Sequence, residues 1–204
     1  RSAAARRSAP WSTDAGSTVS FDGLSPQRGG WRHVYIHVPF CASKCGYCAF
    51  YSEAPGSAAL RKAYLDELER RLQQIEFAAP AATLYLGGGT PNFLSEAELE
   101  RLLALAARYI PLESAAEISC ELNPESLTAD KWGLLRAFAT RISLGVQSFD
   151  AAIRTRLGRH CREEHLERAL ALVEERLPEQ QWNCDLIYGV AGTQWTDWEA
   201  DLRR

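Results

Sequence analysis

The segment HVYIHVPFCASKCGYC, residues 33–48, decides how this chain is interpreted. Its first half is rich in β-branched and aromatic residues and runs into a proline, a pattern typical of a strand that ends there. Cys41, Cys45 and Cys48 follow directly, so three thiols are gathered at one strand end. A four-iron cube has four metal corners, and three cysteines leave one iron free to bind something other than protein. The spacing therefore predicts a 4Fe–4S cluster with one open iron.

Two other interpretations of the three cysteines stay open. A structural zinc site needs a fourth ligand, and no fourth cysteine lies at a matching distance, although His37 would complete a non-catalytic zinc-binding module. In the second interpretation, the three thiols are close in sequence by coincidence and bind no metal.

Length and composition define the broad class of the protein. With 204 residues, 46% of them hydrophobic and 24% charged, the chain is large enough to bury one core without disulfides. A net charge of -3 gives no electrostatic reason to expect binding to nucleic acid or to anionic lipid. No apolar run approaches roughly 18 residues, the length of a membrane span. We therefore expect a soluble protein that binds no nucleic acid.

The cysteines also indicate the compartment. A tight triplet in a chain of this size is more typical of metal binding than of a secreted disulfide framework. We therefore expect the cytoplasm, with the mitochondrial matrix as the alternative. Cys120 and Cys184 lie in apolar runs and are predicted to be buried and inert, whereas Cys161 lies in a polar stretch and is predicted to face solvent.

The two ends of the chain differ from its middle. Residues 1–30 are rich in Arg, Ser, Ala and Gly, which predicts a disordered N-terminal segment, with a mitochondrial transit peptide as the alternative. The chain holds no methionine, and a helical pattern that opens at Thr196 stops at Arg204. We therefore expect residues 31–204 to form one domain that is incomplete at its C-terminus.

From His33 onward, short β-rich runs alternate with longer helical patterns. The predicted strands are residues 33–38, 82–86, 116–122, 141–146 and 183–188. Apolar stripes predict the helices: Leu60, Tyr64, Leu68, Leu72 and Ile75; Leu99, Leu102, Leu103 and Ala106, behind a Ser95/Glu98 capping box; Trp132, Leu135 and Phe138; Leu166, Leu170, Val173 and Leu177; and a last helix from Thr196 with Glu199 at the capping distance. This alternation predicts an α/β fold with a parallel sheet, either a curved barrel or an open doubly wound sheet.

Ligands of such folds bind where the carboxyl ends of the strands meet. The cysteines follow the first predicted strand, and the run GGGTP, residues 87–91, follows the second. Glu121 ends the third strand, Gln147 closes the fourth, and Asp185 lies in the fifth, where an acid among apolar neighbours needs a partner or a ligand. Successive glycines let a backbone approach a ligand closely, although a tight turn alone also explains them.

These motifs together resemble the radical SAM (S-adenosyl-L-methionine) superfamily. The wording of residues 35–48 and 87–91 is closest to the branch that contains oxygen-independent coproporphyrinogen III dehydrogenase and a related haem chaperone. The resemblance covers the chain from about Tyr35 to its end. It implies a partial (β/α)6 barrel, truncated here after about five βα units.

The resemblance also implies a set of site residues. Cys41, Cys45 and Cys48 would hold the cluster, and Tyr47 would lie against the adenine of SAM. Tyr35, which faces the same way as His37, is a further cofactor-binding position. Gly88, Gly89 and Thr90 match the strand edge that holds the amino group of SAM, and Glu121 matches an acidic position that contacts SAM. Gln147 and Asp185 match polar positions around the ribose, and Arg159 matches the arginine that pairs with the carboxylate. On sequence alone, Arg159 is as well explained as a surface arginine.

The implied activity is radical chemistry on tetrapyrroles. An external flavodoxin-like or ferredoxin-like donor would reduce the cluster, SAM would yield a 5′-deoxyadenosyl radical, and in the dehydrogenase that radical starts the oxidative decarboxylation of a porphyrinogen. The pattern of the true dehydrogenases has a further cysteine two positions after the third. In this chain, Phe50 occupies that position. The resemblance therefore favours the haem-chaperone relative, with haem as a bound group and a haem acceptor protein as partner. None of the histidines is assigned as a haem ligand.

Overall fold

The computed structural model describes residues 32–176 and 181–204. The predicted N-terminal segment, residues 1–30, and the predicted helical position Leu177 lie outside these ranges. Within the described residues, no helix is both long enough and apolar enough to cross a bilayer.

Five strands form one parallel sheet in the order β1-β2-β3-β4-β5. They are β1 (His33–Val38), β2 (Ala81–Gly88), β3 (Leu112–Leu122), β4 (Arg141–Gln147) and β5 (Trp182–Leu186). The helices are α1 (Ala58–Leu72), α2 (Glu96–Tyr109), α3 (Ala129–Phe138), α4 (Ala151–Arg156), α5 (Glu163–Arg176) and α6 (Trp195–Leu202). Short 3-10 turns follow two strands, at Pro91–Phe93 and Pro124–Ser126.

The strand order decides between the two predicted architectures. A doubly wound sheet reverses its order at a switch point, whereas here each strand pairs with the next one along the chain. Right-handed crossovers in one direction place the helices on one face of the sheet. The α/β partial-barrel prediction is therefore confirmed, and the doubly wound alternative is wrong.

Burial alternates along the strands in agreement with this arrangement. In β1, Ile36 and Val38 are 4% and 0% exposed, whereas Tyr35, whose side chain points to the opposite face, is 54% exposed. The buried side chains of β2 to β4 that share the core with the helices are Leu84, Leu86, Cys120, Leu122, Ile142, Leu144 and Val146. Side chains of opposite parity lie on the other face, which is polar and open.

Helix caps explain where several helices begin. The predicted capping box of α2 is confirmed, because the Ser95 hydroxyl accepts from Glu98 N–H and the Glu98 carboxylate accepts from Ser95 N–H. The predicted Thr196/Glu199 cap is wrong, since α6 begins at Trp195 with Gln194 and Asp197 in the reciprocal contacts. Asp197 lies one turn into the helix, so its carboxylate reaches the Gln194 N–H at 2.8 Å.

Three further differences concern element boundaries. Helix α1 ends at Leu72, so Ile75 lies beyond it and is 45% exposed instead of completing the apolar stripe. Strand β5 ends at Leu186, and Tyr188 is 74% exposed. Helix α4 was not expected, because its six residues are too few to show an apolar period; Asp150 caps it by accepting from Ala152 and Ile153 N–H.

Candidate functional site

A cavity of about 520 Å³ opens at the carboxyl ends of the strands. Every predicted site residue except Tyr35 lines it: Cys41, Cys45, Tyr47, Cys48, Gly88, Gly89, Thr90, Glu121, Gln147, Arg159 and Asp185. A smaller cavity of about 170 Å³ beside α6 contains none of them. Residues that are far apart in sequence are thus brought to one place by the common direction of the strands.

The cysteines lie on a loop that leaves β1 and returns to it. Glu53 closes the loop, because its N–H donates to Pro39 C=O at 2.6 Å and its C=O accepts from Cys41 N–H at 3.1 Å. The three thiols are free and half-buried at the cavity wall. The pKa of Cys41 is raised, mainly because burial disfavours the thiolate.

The three sulfurs do not surround one point. Among residues 32–176 and 181–204, no three His, Cys, Asp or Glu side chains come close enough to hold a single metal ion. In a four-iron cube each thiolate binds its own iron, so the thiolates are spread around the cluster and need not converge. The arrangement fits a cluster better than a single zinc ion.

His37 joins the sheet to the end of the cysteine loop. Its Nε2 lies 3.0 Å from Tyr51 C=O, and its Nδ1 lies 3.0 Å from the Tyr35 hydroxyl. A carbonyl only accepts, so Nε2 carries a proton and donates to Tyr51 C=O; in the tautomer with its proton on Nε2, Nδ1 accepts from the Tyr35 hydroxyl. His37 therefore links β1 to the end of the cysteine loop. Both ring nitrogens are engaged, so the zinc module that uses His37 has no free nitrogen for the metal.

The end of β2 shows why glycines are needed there. Gly88 has φ of 111°, in the region that favours glycine, and its N–H donates to Glu121 Oε2 at 3.0 Å. A Cβ on Gly89 would lie 2.7 Å from Phe40 C=O, so only glycine lets β2 pass the end of β1 this closely. Tyr85 donates to the second Glu121 oxygen at 2.8 Å, and burial together with this carboxylate raises the pKa of Tyr85.

Gln147 is held in a strained conformation at the end of β4. Its φ is 72°, and among the described residues it is the one non-glycine with positive φ. The pairing of β4 with β5 shifts between Gly145 and Gln147, as in a β-bulge. Such strain costs about 1–3 kcal/mol and tends to occur where a side chain must be aimed at a ligand.

Arg159 is not a surface arginine. It is 4% exposed, and its guanidinium donates to Glu125 Oε1 at 3.0 Å, to Asn123 Oδ1 at 2.8 Å and to Gly145 C=O at 2.8 Å. Burial alone would lower its pKa, but the Glu125 carboxylate and the nearby Tyr47 and Cys45 outweigh this, and the pKa is raised. Arg159 Nε and Glu125 Oε2 are buried without a partner in the described part of the chain. Of the two residues, Arg159 lines the cavity, and its unpaired N–H fits a polar ligand better than an empty protein core.

Asp185 lies on the open face of β5 and not in the core. Its carboxylate accepts from Ser143 at 2.8 Å and from Asn183 Nδ2 at 2.9 Å. The partner that an acid in an apolar run requires is therefore present, and the carboxylate lines the cavity. Tyr35, by contrast, stays outside the cavity wall and contacts Tyr85 with ring centroids 5.9 Å apart.

Several contributors were missed by sequence reasoning. Asn92 is fully buried and exchanges two hydrogen bonds with the backbone of Asn123, at 2.9 and 3.0 Å. Lys44 of the cysteine loop donates to Phe50 C=O and to the Ser52 hydroxyl. The position of Lys44 between two cysteines was a usable signal, whereas nothing in the local sequence marks Asn92.

The remaining cysteines were predicted with mixed success. Cys120 is fully buried, as expected, and burial raises its pKa. Cys184 is half-buried, with a pKa raised to about 11 mainly by burial. The prediction for Cys161 is wrong: it is 6% exposed, and burial raises its pKa to about 11. Arg154, itself 1% exposed, donates to Cys161 C=O at 3.1 Å and holds this polar stretch against the core.

Comparisons with known proteins show the family of this chain. Residues 35–204 match the family model of the radical SAM superfamily. The chain is 37% identical over 182 residues to the haem chaperone HemW of Mycobacterium tuberculosis, covering 85% of this chain and 46% of that protein. It is 32% identical over 179 residues to anaerobilin synthase of Escherichia coli O157:H7, covering 84% and 39%.

A solved structure shows the same fold. Coproporphyrinogen III oxidase (HemN) of Escherichia coli, a radical SAM enzyme, superimposes with a TM-score of 0.77 at 29% identity, over 86% of this chain and 41% of that one. The chain thus spans less than half the length of each of these relatives. Because the family model matches most of the length of this chain, the chain belongs to the radical SAM superfamily.

Proposed function

We propose that Cys41, Cys45 and Cys48 hold a 4Fe–4S cluster and that SAM binds in the adjoining cavity. The observation that carries this proposal is the cavity itself, which joins the three thiols to polar groups from the other strand ends. When bound, the cluster and SAM supply the radical chemistry of the superfamily. The superfamily implies both groups, and the residues present fit them.

The protein residues have separate roles in this proposal. Gly88 and Gly89 offer a backbone edge without side chains, and Tyr47, which is 39% exposed, offers a ring for adenine. Arg159 offers an unpaired guanidinium N–H to a carboxylate, the group that a planar guanidinium binds best. Glu121 supplies hydrogen-bond acceptors to SAM. Gln147 and Asp185 supply acceptors around the ribose, and Gln147 also supplies a donor there.

For the whole protein we propose a HemW-type haem chaperone. One support is the 37% identity to the M. tuberculosis chaperone. Another is Phe50, which occupies the position where the dehydrogenase pattern has a further cysteine. Phe50 is 66% exposed beside the cysteine loop, so it adds no thiol to the site. Haem, a haem acceptor protein and an external flavodoxin-like or ferredoxin-like electron donor are the partners that this function requires.

Cluster binding is tested by anaerobic reconstitution with iron and sulfide. We expect a brown protein with broad absorption near 400 nm, and about four irons and four sulfides per chain. Cys45→Ala should lose this absorption, whereas Cys184→Ala, at a cysteine away from the loop, should keep it. A colourless wild-type protein that binds zinc would support the zinc module instead.

The chaperone and dehydrogenase functions are separated by their products. The reconstituted protein is incubated with SAM, reductant and coproporphyrinogen III, and in parallel with haem. We expect a haem absorption spectrum that stays with the protein and no protoporphyrinogen IX. Turnover of coproporphyrinogen III would establish the dehydrogenase, and formation of anaerobilin would point to an activity like that of anaerobilin synthase.

A further inference from the structure

Two hydroxyl groups lie against the sulfur of Cys41. The Thr90 hydroxyl oxygen is 3.6 Å from Cys41 Sγ, and Thr90 is only 2% exposed. Ser52 lines the same cavity as Cys41, which places a second hydroxyl on the same side of this thiol. A hydroxyl can donate or accept, so the direction of these bonds depends on what else each hydroxyl contacts.

The direction at Thr90 is determined by a chain of contacts that begins at Arg159. A guanidinium only donates, so the Asn123 atom 2.8 Å from it is the amide oxygen. The amide nitrogen of Asn123 therefore faces Thr90 and donates to its hydroxyl oxygen at 2.6 Å. Because the Thr90 oxygen accepts this hydrogen bond, its own hydrogen is free to point at Cys41.

Lys44 has the same effect on Ser52. Its ammonium group only donates and lies 3.1 Å from the Ser52 oxygen, so the serine accepts there. The ammonium is also anchored on Phe50 C=O, which keeps it inside the cysteine loop. The Ser52 hydrogen is then also free for Cys41. A thiol that binds iron has lost its proton and can only accept.

We propose that Thr90 and Ser52 donate hydrogen bonds to the Cys41 sulfur and thereby raise the reduction potential of the cluster, with Asn123 and Lys44 as the positioning residues that orient them. This inference rests on the proposed cluster site. Hydrogen bonds to the sulfurs are one factor that sets the potential of an iron–sulfur cluster. Donors stabilise the more negative, reduced form, so their loss makes reduction harder.

The test is a potentiometric titration of the reconstituted protein, monitored by electron paramagnetic resonance. Dithionite supplies one electron per cluster, so the dithionite is oxidised and the cluster is reduced. For Thr90→Val and for Ser52→Ala we expect the equilibrium constant of reduction to fall by roughly three- to tenfold each, as for one hydrogen bond. A tenfold fall corresponds to a potential lower by about 59 mV for one electron.

Matched variants separate this effect from a general disturbance. Thr90→Ser keeps the hydroxyl and should stay close to the wild-type potential. Thr83→Val removes a hydroxyl from β2, the strand that precedes Thr90, at a position where the hydroxyl contacts His33, and should leave the potential unchanged. If Thr90→Val does not fold, Thr90→Ala and Ser52→Ala still measure the loss of each hydroxyl.

The outcomes are distinguishable. A wild-type protein that takes up neither iron nor sulfide overturns this inference together with the proposed function. A fully loaded protein whose potential is the same in wild type, Thr90→Val, Thr90→Ala and Ser52→Ala overturns this inference alone. Lower potentials in the variants that lack a hydroxyl, with Thr90→Ser and Thr83→Val at the wild-type value, support it.

Discussion

At the scale of single residues, Gln147 shows a conflict between stability and function. Its φ of 72° is unfavourable for a side chain with a Cβ, yet its side chain lines the cavity. We expect Gln147→Gly to raise the free energy of unfolding by about 0.5–1 kcal/mol, because glycine adopts this conformation without strain. The same change should weaken SAM binding.

The measurements for Gln147 are urea unfolding and equilibrium dialysis with SAM. Gln147→Ala serves as the control, because it removes the amide but keeps a Cβ in the strained conformation. We expect it to weaken SAM binding without any gain in stability. Unchanged SAM binding in both variants would show that the strain does not serve the ligand.

The cysteines allow a second prediction at this scale. In the cluster-free, folded protein at pH 7.5, iodoacetamide should label the half-buried Cys41, Cys45 and Cys48 but not Cys120 or Cys161, which are buried and whose pKa values are raised. Peptide mass spectrometry measures the labelling. After reconstitution, labelling of the loop cysteines should fall, because iron occupies their thiolates.

Unfolding in guanidinium is the control for labelling, since all 6 cysteines of the chain should then react. Fast labelling of Cys161 in the folded state would contradict its burial behind Arg154. Continued labelling of the loop cysteines in a brown, reconstituted protein would contradict their assignment as ligands.

At the scale of elements, Glu98 links two helices. Its Oε2 accepts from Ser95 N–H of the α2 cap and from Arg61 Nε of α1, both at 2.8 Å. Burial raises its pKa, but the bonds from Arg61 and Ser95 outweigh burial, and the pKa is lowered from 4.5. A lowered carboxyl pKa contributes stability that is present above the unfolded value of 4.5 and lost as the pH falls through the folded value.

We therefore expect Glu98→Gln to lower the free energy of unfolding by about 0.5–1.5 kcal/mol at pH 7 and by less at pH 3. Urea unfolding followed by circular dichroism at the two pH values measures this. Glu100→Gln is the matched control, since Glu100 is exposed on the same helix and should change stability by less than about 0.5 kcal/mol. A loss that is equal at both pH values would mean that the charge of Glu98 has no part in it.

Elements also show what the sequence can and cannot predict. Strands and strand-end residues were found because their side chains alternate and because motifs such as GGGTP follow them directly. Cys161 was misplaced because its sequence neighbours are polar, whereas its burial depends on Arg154, seven residues earlier. The orientation of Asn123 is set by Arg159, 36 residues away, so no local pattern reports it.

At the scale of the whole molecule, the sheet has two different faces. One face packs against the helices and forms the core, and the other is lined with polar groups such as Glu121 and Asp185. Parallel sheets usually have both faces covered, so the open polar face is the unusual part of this sheet, and it is where the proposed SAM site lies. The residues that line the cavity come from the ends of different strands. These ends lie side by side only when the entire sheet has formed.

A ligand of this cavity should therefore stabilise the whole chain. For the reconstituted protein at SAM concentrations about 100 times Kd, mass action raises the free energy of unfolding by about 2.7 kcal/mol. We expect a higher Tm with SAM by anaerobic differential scanning calorimetry. Cys45→Ala, without a cluster, should show a much smaller shift, because SAM then loses the open iron. Equal shifts in the two proteins would mean that SAM binds without the cluster, and no shift in wild type would mean that the folded protein does not bind SAM.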